Sequence, residues 1–216
     1  MRMTYMRRWV LTNVLGFILS IYAIRFVGPR GNGLSSTGLA FGLILGGMQA
    51  SALRQRLPQL KVWHWIVATG LGIYVGAALS ALANLLQAIT SQSLLVIALR
   101  FFLPSVDSMP SALMWIIVLV GHGISIGISV GIAQVLVLRQ HTSDWRLWWL
   151  MGVFGYALGG AIASYGIWFG AELVSDIFGD SMVLVIRGVC FGAVSGVIYG
   201  SITAIALKSL RPQQQL

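Results

Sequence analysis

The stretch GLAFGLILG, residues 38–46, places a glycine at every fourth position of an apolar run. Residues four apart lie on one helix face, where a soluble helix favours alanine because glycine costs about 1 kcal/mol. The same spacing occurs in GISIGISVG at 123–131 and in GVCFGAVSG at 188–196. In a membrane, such a face lets a neighbouring backbone approach closely. The pattern therefore predicts three helix-packing glycine seams, made of Gly38, Gly42 and Gly46, of Gly123, Gly127 and Gly131, and of Gly188, Gly192 and Gly196.

The composition is that of an integral membrane protein. The chain has 216 residues, of which 57% are hydrophobic and only 9% are charged, and its mean hydropathy is +0.87. A water-soluble domain of this size needs more polar surface. The net charge of +9 comes from basic residues scattered singly between apolar runs, so it indicates membrane topology and excludes a nucleic-acid-binding stripe.

Six apolar runs approach the ~20 residues that cross a bilayer. They predict an all-α polytopic bundle that forms one transmembrane domain over residues 1–216. A further apolar segment at 94–103 is too short to span, and we expect it to lie at the interface or to re-enter. The six expected spans are 9–27, 36–53, 63–88, 113–138, 147–171 and 182–207.

The distribution of charge predicts the orientation of the bundle. With the N-terminus in the cytoplasm, ten of the fourteen basic residues fall on the cytoplasmic side, and four of the five acids fall on the other. This distribution satisfies the positive-inside rule, so we expect both termini to be cytoplasmic. The basic residues expected in the cytoplasmic loops are Arg54, Arg56, Lys61, Arg139 and Arg146.

The chain contains an internal repeat. Shifting the sequence by 85 residues without a gap matches nine of 33 positions from residue 38 onward, including Gln49 with Gln134 and Trp63 with Trp148. The third seam follows 65 residues after the second, which places Tyr199 where Gln134 would fall. Gln49, Gln134 and Tyr199 could then form a pseudo-threefold polar ring, either as a ligand site or as hydrogen bonds that fix helix register.

The repeated segments GGMQASALRQ and GIAQVLVLRQ resemble uncharacterised multi-pass membrane proteins of cyanobacteria. The resemblance covers residues 38–76 and 123–161. It implies a plasma or thylakoid membrane, and it implies no activity and no site residues.

Few residues carry chemistry. His122, between two glycines, could present a nitrogen to haem iron or chlorophyll magnesium, but His64 and His141 fall in connections on the expected opposite side. We therefore predict no cofactor and no metal, with a pigment- or haem-binding subunit as a remote alternative. No Asp or Glu falls in the middle of an expected span, and no hydrolase, protease or nucleotide-binding motif occurs, so we expect no catalysis.

Two functions fit these features. The first is a non-catalytic accessory, assembly or scaffolding subunit of a larger membrane complex, whose partners are the bilayer and other membrane subunits. The alternative is the membrane component of a small-molecule transporter. A polar cavity within the bundle would favour the transporter.

Overall fold

The computed structural model is all-helical in the part of the chain that it describes. The five helices, numbered in chain order, are α1 (Arg2–Val27), α2 (Gly33–Leu53), α3 (Val62–Thr90), α4 (Ser111–Leu138) and α5 (Trp145–Ser209). The described backbone covers residues 2–27, 33–90, 111–142 and 144–210, and the described side chains cover 5–23, 38–82, 119–142, 144–163, 186 and 188–210. The predicted segment 94–103 lies outside the described residues.

The 65-residue helical stretch α5 folds back on itself. In a straight helix, residues 155 and 199 would lie about 66 Å apart. Instead, a β-carbon added at Gly155 would lie 3.3 Å from the Cα of Tyr199. We therefore describe α5 by an N-terminal limb, residues 145–163, and an antiparallel C-terminal limb, residues 188–209. Sequence analysis expected two separate helices here.

The helical segments form a closed ring. Each helix packs against its neighbours in the chain, and the C-terminal limb of α5 packs against α1, which closes the ring. Neighbouring segments run antiparallel throughout. All the described turns between helices, together with the start of α1 and the end of α5, therefore lie at one end of the ring.

The end of the ring that holds the described turns is called the basic end. Its described side chains include eight basic residues and one acid, Asp144. The opposite end is the far end. The basic side chains are Arg7, Arg8, Arg54, Arg56, Lys61, Arg139, Arg146 and Lys208. The acids predicted for the other side, Asp107, Glu172, Asp176 and Asp180, have no described side chains.

Three helical segments within the described residues are long and apolar enough to cross a membrane: Val62–Leu82, Leu119–Leu138 and Gly188–Ser209. A shorter apolar helix covers Gly38–Leu53. The protein is therefore a helical, membrane-embedded protein, and three of the six predicted spans meet the requirements of length and composition.

Candidate functional site

The glycine seams join helices in pairs. A β-carbon added at Gly42 of α2 would lie 2.6 Å from the Cα of Gly70 in α3. One added at Gly127 of α4 would lie 2.7 Å from the Cα of Val153 in α5. These distances are shorter than any real side chain tolerates, so the two backbones touch where a larger residue could not fit.

The third seam joins the two ends of the chain. Added β-carbons at Gly192, Gly196 and Gly200 would lie 2.5–3.0 Å from the Cα atoms of Ile18, Val14 and Val10 in α1. Gly188 has a looser contact, 3.3 Å, with the side chain of Ile21. The counterparts of Gly123, Gly127 and Gly131 are thus Gly192, Gly196 and Gly200, one turn beyond the trio that the sequence pattern selects.

Three tryptophans fill the interior near the basic end. Trp9, Trp65 and Trp148, one from each of three alternate segments, are completely buried. Trp148 packs edge-on against both of the others, with ring centroids 5.6 Å apart in each pair. Leucines from the intervening segments complete this tryptophan layer: Leu53, Leu138 and Leu207, all fully buried or nearly so.

Each indole of the tryptophan layer donates a hydrogen bond to a polar residue one turn farther inside. Trp65 Nε1 donates to Gln49 Oε1 at 3.3 Å, and Trp148 Nε1 donates to Gln134 Oε1 at 3.0 Å. Trp9 Nε1 donates to Thr203 Oγ1 at 3.0 Å. In each case the tryptophan and its acceptor lie on two helices that a glycine seam joins.

These acceptors are part of a polar layer in which the described amide groups are hydrogen-bonded. Gln134 Nε2 donates to Thr69 Oγ1 at 3.0 Å and to Gln49 Oε1 at 3.3 Å. Gln49 Nε2 donates to Asn13 Oδ1 at 2.8 Å, and Asn13 Nδ2 donates to the Trp9 carbonyl at 2.9 Å. Each of these three amides is thus hydrogen-bonded to a side chain of another helix.

An aromatic layer follows on the far-end side of the polar layer. It takes one buried residue from each of the six segments: Phe17, Leu45, Ile73, Val130, Tyr156 and Tyr199. The rings of Tyr156 and Tyr199 lie 4.6 Å apart. Both hydroxyls are buried and lie within hydrogen-bonding reach of each other, and that of Tyr199 also lies within reach of Gln49.

Sequence reasoning placed Gln49 and Gln134 at equivalent positions, and the structure brings their side chains into contact. It places Tyr199 in the aromatic layer next to Gln49 of the polar layer, and the indole of Trp9 donates to Thr203. Trp63, the sequence partner of Trp148, is 62% exposed, whereas Trp65 is buried in its place. The ungapped alignment fails there because the turn before α3 has eight residues and the turn before α5 has six.

A cavity of about 360 Å³ lies on the far-end side of the aromatic layer. Its walls are mainly apolar, and they include His122 and Ser195. The Ser195 hydroxyl donates to the Gly159 carbonyl at 3.3 Å. All six segments contribute to the lining: Phe17, Gly38, Phe41, Ile73, Ala77, Leu119, His122, Gly123, Ile126, Gly155, Tyr156, Gly159, Gly160, Phe191 and Ser195.

At the basic end, side chains donate hydrogen bonds to backbone carbonyl groups of other helices. Arg56 donates from Nε to the Leu210 carbonyl at 3.1 Å and from a terminal nitrogen to the Lys208 carbonyl at 2.8 Å. Tyr5 donates to the Ala52 carbonyl at 3.0 Å, and burial raises its pKa to about 12 despite the positive charges of Arg56 and Arg8.

The histidines are divided between the two ends of the ring. Burial lowers the pKa of His141 at the basic end, and His64 and Lys61 add to the effect. His122 lines the far-end cavity. The tryptophan, polar and aromatic layers separate it from His64 and His141. Within the described residues, no three His, Cys, Asp or Glu side chains come together as metal ligands would.

Comparisons with known proteins add no relative to this picture. No protein-family model, no curated protein and no solved structure matches the chain. The resemblance to cyanobacterial membrane proteins therefore stays a prediction from two short segments.

Proposed function

We propose that all six segments of the ring cross the membrane, with the basic end in the cytoplasm. Each of the other three segments packs against at least one segment that is long and apolar enough to span, so the whole ring occupies one slab. Its outer surface is apolar where lipid would lie, because exposed residues spaced by four form stripes along α1 and along the N-terminal limb of α5. These residues are Leu11, Leu15, Leu19, Leu150, Phe154, Leu158 and Ile162. The basic end satisfies the positive-inside rule.

The ring is built from three helix pairs, each joined by a glycine seam. The pairs are α2 with α3, α4 with the N-terminal limb of α5, and the C-terminal limb of α5 with α1. Equivalent contacts in the three pairs support this assignment. Each pair supplies one tryptophan and the acceptor of its indole hydrogen bond, and in each pair a basic residue follows the acceptor by five positions. The basic residues are Arg54, Arg139 and Lys208.

On this architecture the protein is a non-catalytic accessory, assembly or scaffolding subunit of a larger membrane complex. The observation that carries this function is the filled interior. The tryptophan, polar and aromatic layers close the ring from the basic end to its middle, and their hydrogen bonds are made within the ring. A rigid ring of this kind offers its outer surface to other membrane proteins, and its interior supplies stability.

The hydroxyl groups of the bundle support a non-catalytic role. Ser125 donates to the Gly121 carbonyl at 3.1 Å, and Ser195 donates to the Gly159 carbonyl. A nucleophilic serine would instead donate to a base. We expect neither serine to be activated.

The test is purification from the native membrane in a mild detergent, followed by quantitative mass spectrometry. We expect one or a few membrane proteins to co-purify in fixed ratio with the tagged protein. Gly127→Leu, which forces α4 away from α5, serves as the control and should lose the same partners. A protein that migrates alone in both forms would contradict the scaffolding role.

The second candidate is a membrane component of a transporter, which a polar cavity through the ring would favour. The walls of the far-end cavity are mainly apolar, and the filled layers separate it from the basic end. Glycerol uptake into vesicles containing the purified protein, followed by light scattering, tests for a polar path through the ring. A rate equal to that of empty vesicles supports the scaffold, and a rate several times higher supports transport.

A further inference from the structure

Two apolar stripes run side by side on the outer surface of the pair formed by α4 and the N-terminal limb of α5. In each helix the exposed residues follow the residues of the glycine seam by one position, as Ile128 follows Gly127 and Phe154 follows Val153. Because the two helices are antiparallel, this common offset puts both stripes on the same side of the seam. The exposed residues are Ile124, Ile128, Ile132 and Leu136 on α4, and Leu150, Phe154, Leu158 and Ile162 on the limb.

Each stripe ends in an exposed arginine at the basic end. Arg146 precedes Leu150 by four residues, about one helical turn, and Arg139 follows Leu136 by three. The Cζ atom of Arg146 lies 5.5 Å from the ring centre of Trp145, and tryptophan at the end of a membrane helix marks the level of the headgroups. A guanidinium binds phosphate through two parallel hydrogen bonds. A phospholipid whose acyl chains lie along the stripes therefore has its phosphate at the level of both arginines.

The turn between these two helices carries a surplus of positive charge. Its one described acid, Asp144, stands against Arg139 and Arg146. Lys61 of the neighbouring turn lies close enough to act on His141 and adds a third cation. This surplus favours a headgroup with a net negative charge over a zwitterionic one.

The pair of α2 and α3 differs from this pair at one of the two arginine positions. Counted from the buried tryptophan of each pair, the position two residues earlier holds Trp63 in α3 and Arg146 in α5. The other position holds an arginine in both pairs, Arg54 and Arg139. Trp63 is 62% exposed, and it begins the outer stripe of α3 as Arg146 begins that of α5. The chain thus contains a matched surface with one basic residue in place of two.

We propose that the outer face of α4 and the N-terminal limb of α5 binds an anionic phospholipid of the cytoplasmic leaflet. Its acyl chains lie along the two stripes, and Arg139 and Arg146 bind its phosphate. The site rests on the membrane-crossing ring proposed above, with the basic end in the cytoplasm, and it does not depend on the scaffolding role.

Photoactivatable lipids test the site. Purified protein is placed in phosphatidylcholine nanodiscs with a trace of phosphatidylglycerol or phosphatidylcholine that carries a diazirine on one acyl chain, and the labelled residues are identified by mass spectrometry. The neutral probe reports contact with lipid, and the ratio of anionic to neutral labelling reports headgroup preference. We expect this ratio to be about fivefold higher within 124–136 and 150–162 than within 43–51 and 63–79, which is the effect of one basic side chain at a membrane surface.

Two reciprocal changes exchange the residues that distinguish the pairs. Arg146→Trp should lower the ratio on α4 and α5 about fivefold and leave that on α2 and α3 unchanged. Trp63→Arg should raise the ratio on α2 and α3 about fivefold and leave the other pair unchanged. Both positions are exposed, so neither change disturbs the buried layers. Arg146→Lys keeps the charge and should retain most of the preference.

The outcomes that contradict the site are distinct. A change in both pairs at once, in either variant, would assign the preference to the overall charge of the basic end. Loss of the preference when chloride is replaced by phosphate at equal ionic strength would show that the arginines bind free phosphate. Neutral labelling with equal ratios on the two pairs would overturn the lipid site and leave the membrane position intact, whereas no labelling by either probe would overturn both.

Discussion

At the scale of single residues, glycines within the apolar helices differ in what their missing side chain provides. A β-carbon at Gly127 would strike the Cα of Val153, whereas one at Gly152 would meet no atom within 4 Å. We expect Gly127→Ala to lower the free energy of unfolding by about 1–3 kcal/mol, because the helices must separate. Gly152→Ala should leave it unchanged or raise it. Thermal unfolding in detergent measures both, and equal losses would mean that close approach has no role.

His141 gives the basic end a dependence on pH. Its pKa is lowered in the folded protein, so the unfolded chain takes up a proton at a higher pH than the folded protein does. Stability should therefore be greatest at neutral pH and fall as the pH drops below about 6.5, the ordinary value for histidine.

The measurement is the midpoint of thermal unfolding at pH 7.5 and pH 5.5. The wild type should lose more stability between these values than His141→Gln, which carries no titrating group at that position. An identical pH dependence in the two proteins would assign the effect to other groups.

At the scale of helices, the polar layer fixes how α2 and α4 are aligned. Gln49 and Gln134 are joined directly at 3.3 Å, so changing either one to leucine affects the same hydrogen bond. Each single change should cost around 0.6 kcal/mol or more, the average for such bonds in membranes, and the double change should cost less than the sum.

Gln140→Leu is the control for this cycle. Gln140 is exposed just after α4, and within the described residues its side-chain amide donates to the Leu136 carbonyl. Its effect should add to that of Gln49→Leu. Additive behaviour of the Gln49 and Gln134 pair as well would indicate that the two amides act separately.

Much of the helix organisation could be predicted from sequence, and the exceptions have physical causes. The seams of α2 and α4 follow from spacing alone, because a helix face is a local property. The third seam has four glycines in a row, from Gly188 to Gly200, so glycine spacing fits two registers equally well. Contacts with α1 distinguish them, among them the hydrogen bond from the Trp9 indole to Thr203, and these contacts join residues far apart in sequence, 194 positions in the case of Trp9 and Thr203.

At the scale of the whole molecule, the ring predicts which connections are accessible from each side of the membrane. With Cys190 replaced by serine, a cysteine at Gln59 or Gln140 should react only with a reagent added from the cytoplasm. A cysteine at Ser175, between the limbs of α5, should react only from outside. Reaction of positions 140 and 175 from the same side would exclude the single crossing that the N-terminal limb of α5 makes between them.

The contact between α1 and the C-terminal limb of α5 also limits when the ring can close during biosynthesis. The chain emerges from the ribosome in sequence order, so α1 is made before the limb that covers it. Val10, Val14 and Ile18 therefore remain in lipid without their glycine partners until that limb has been made. The hydrogen bonds from Arg56 to the carbonyls of Lys208 and Leu210 can form only then. A nascent chain that stalls before residue 192 leaves the seam face of α1 without its partner and the ring open.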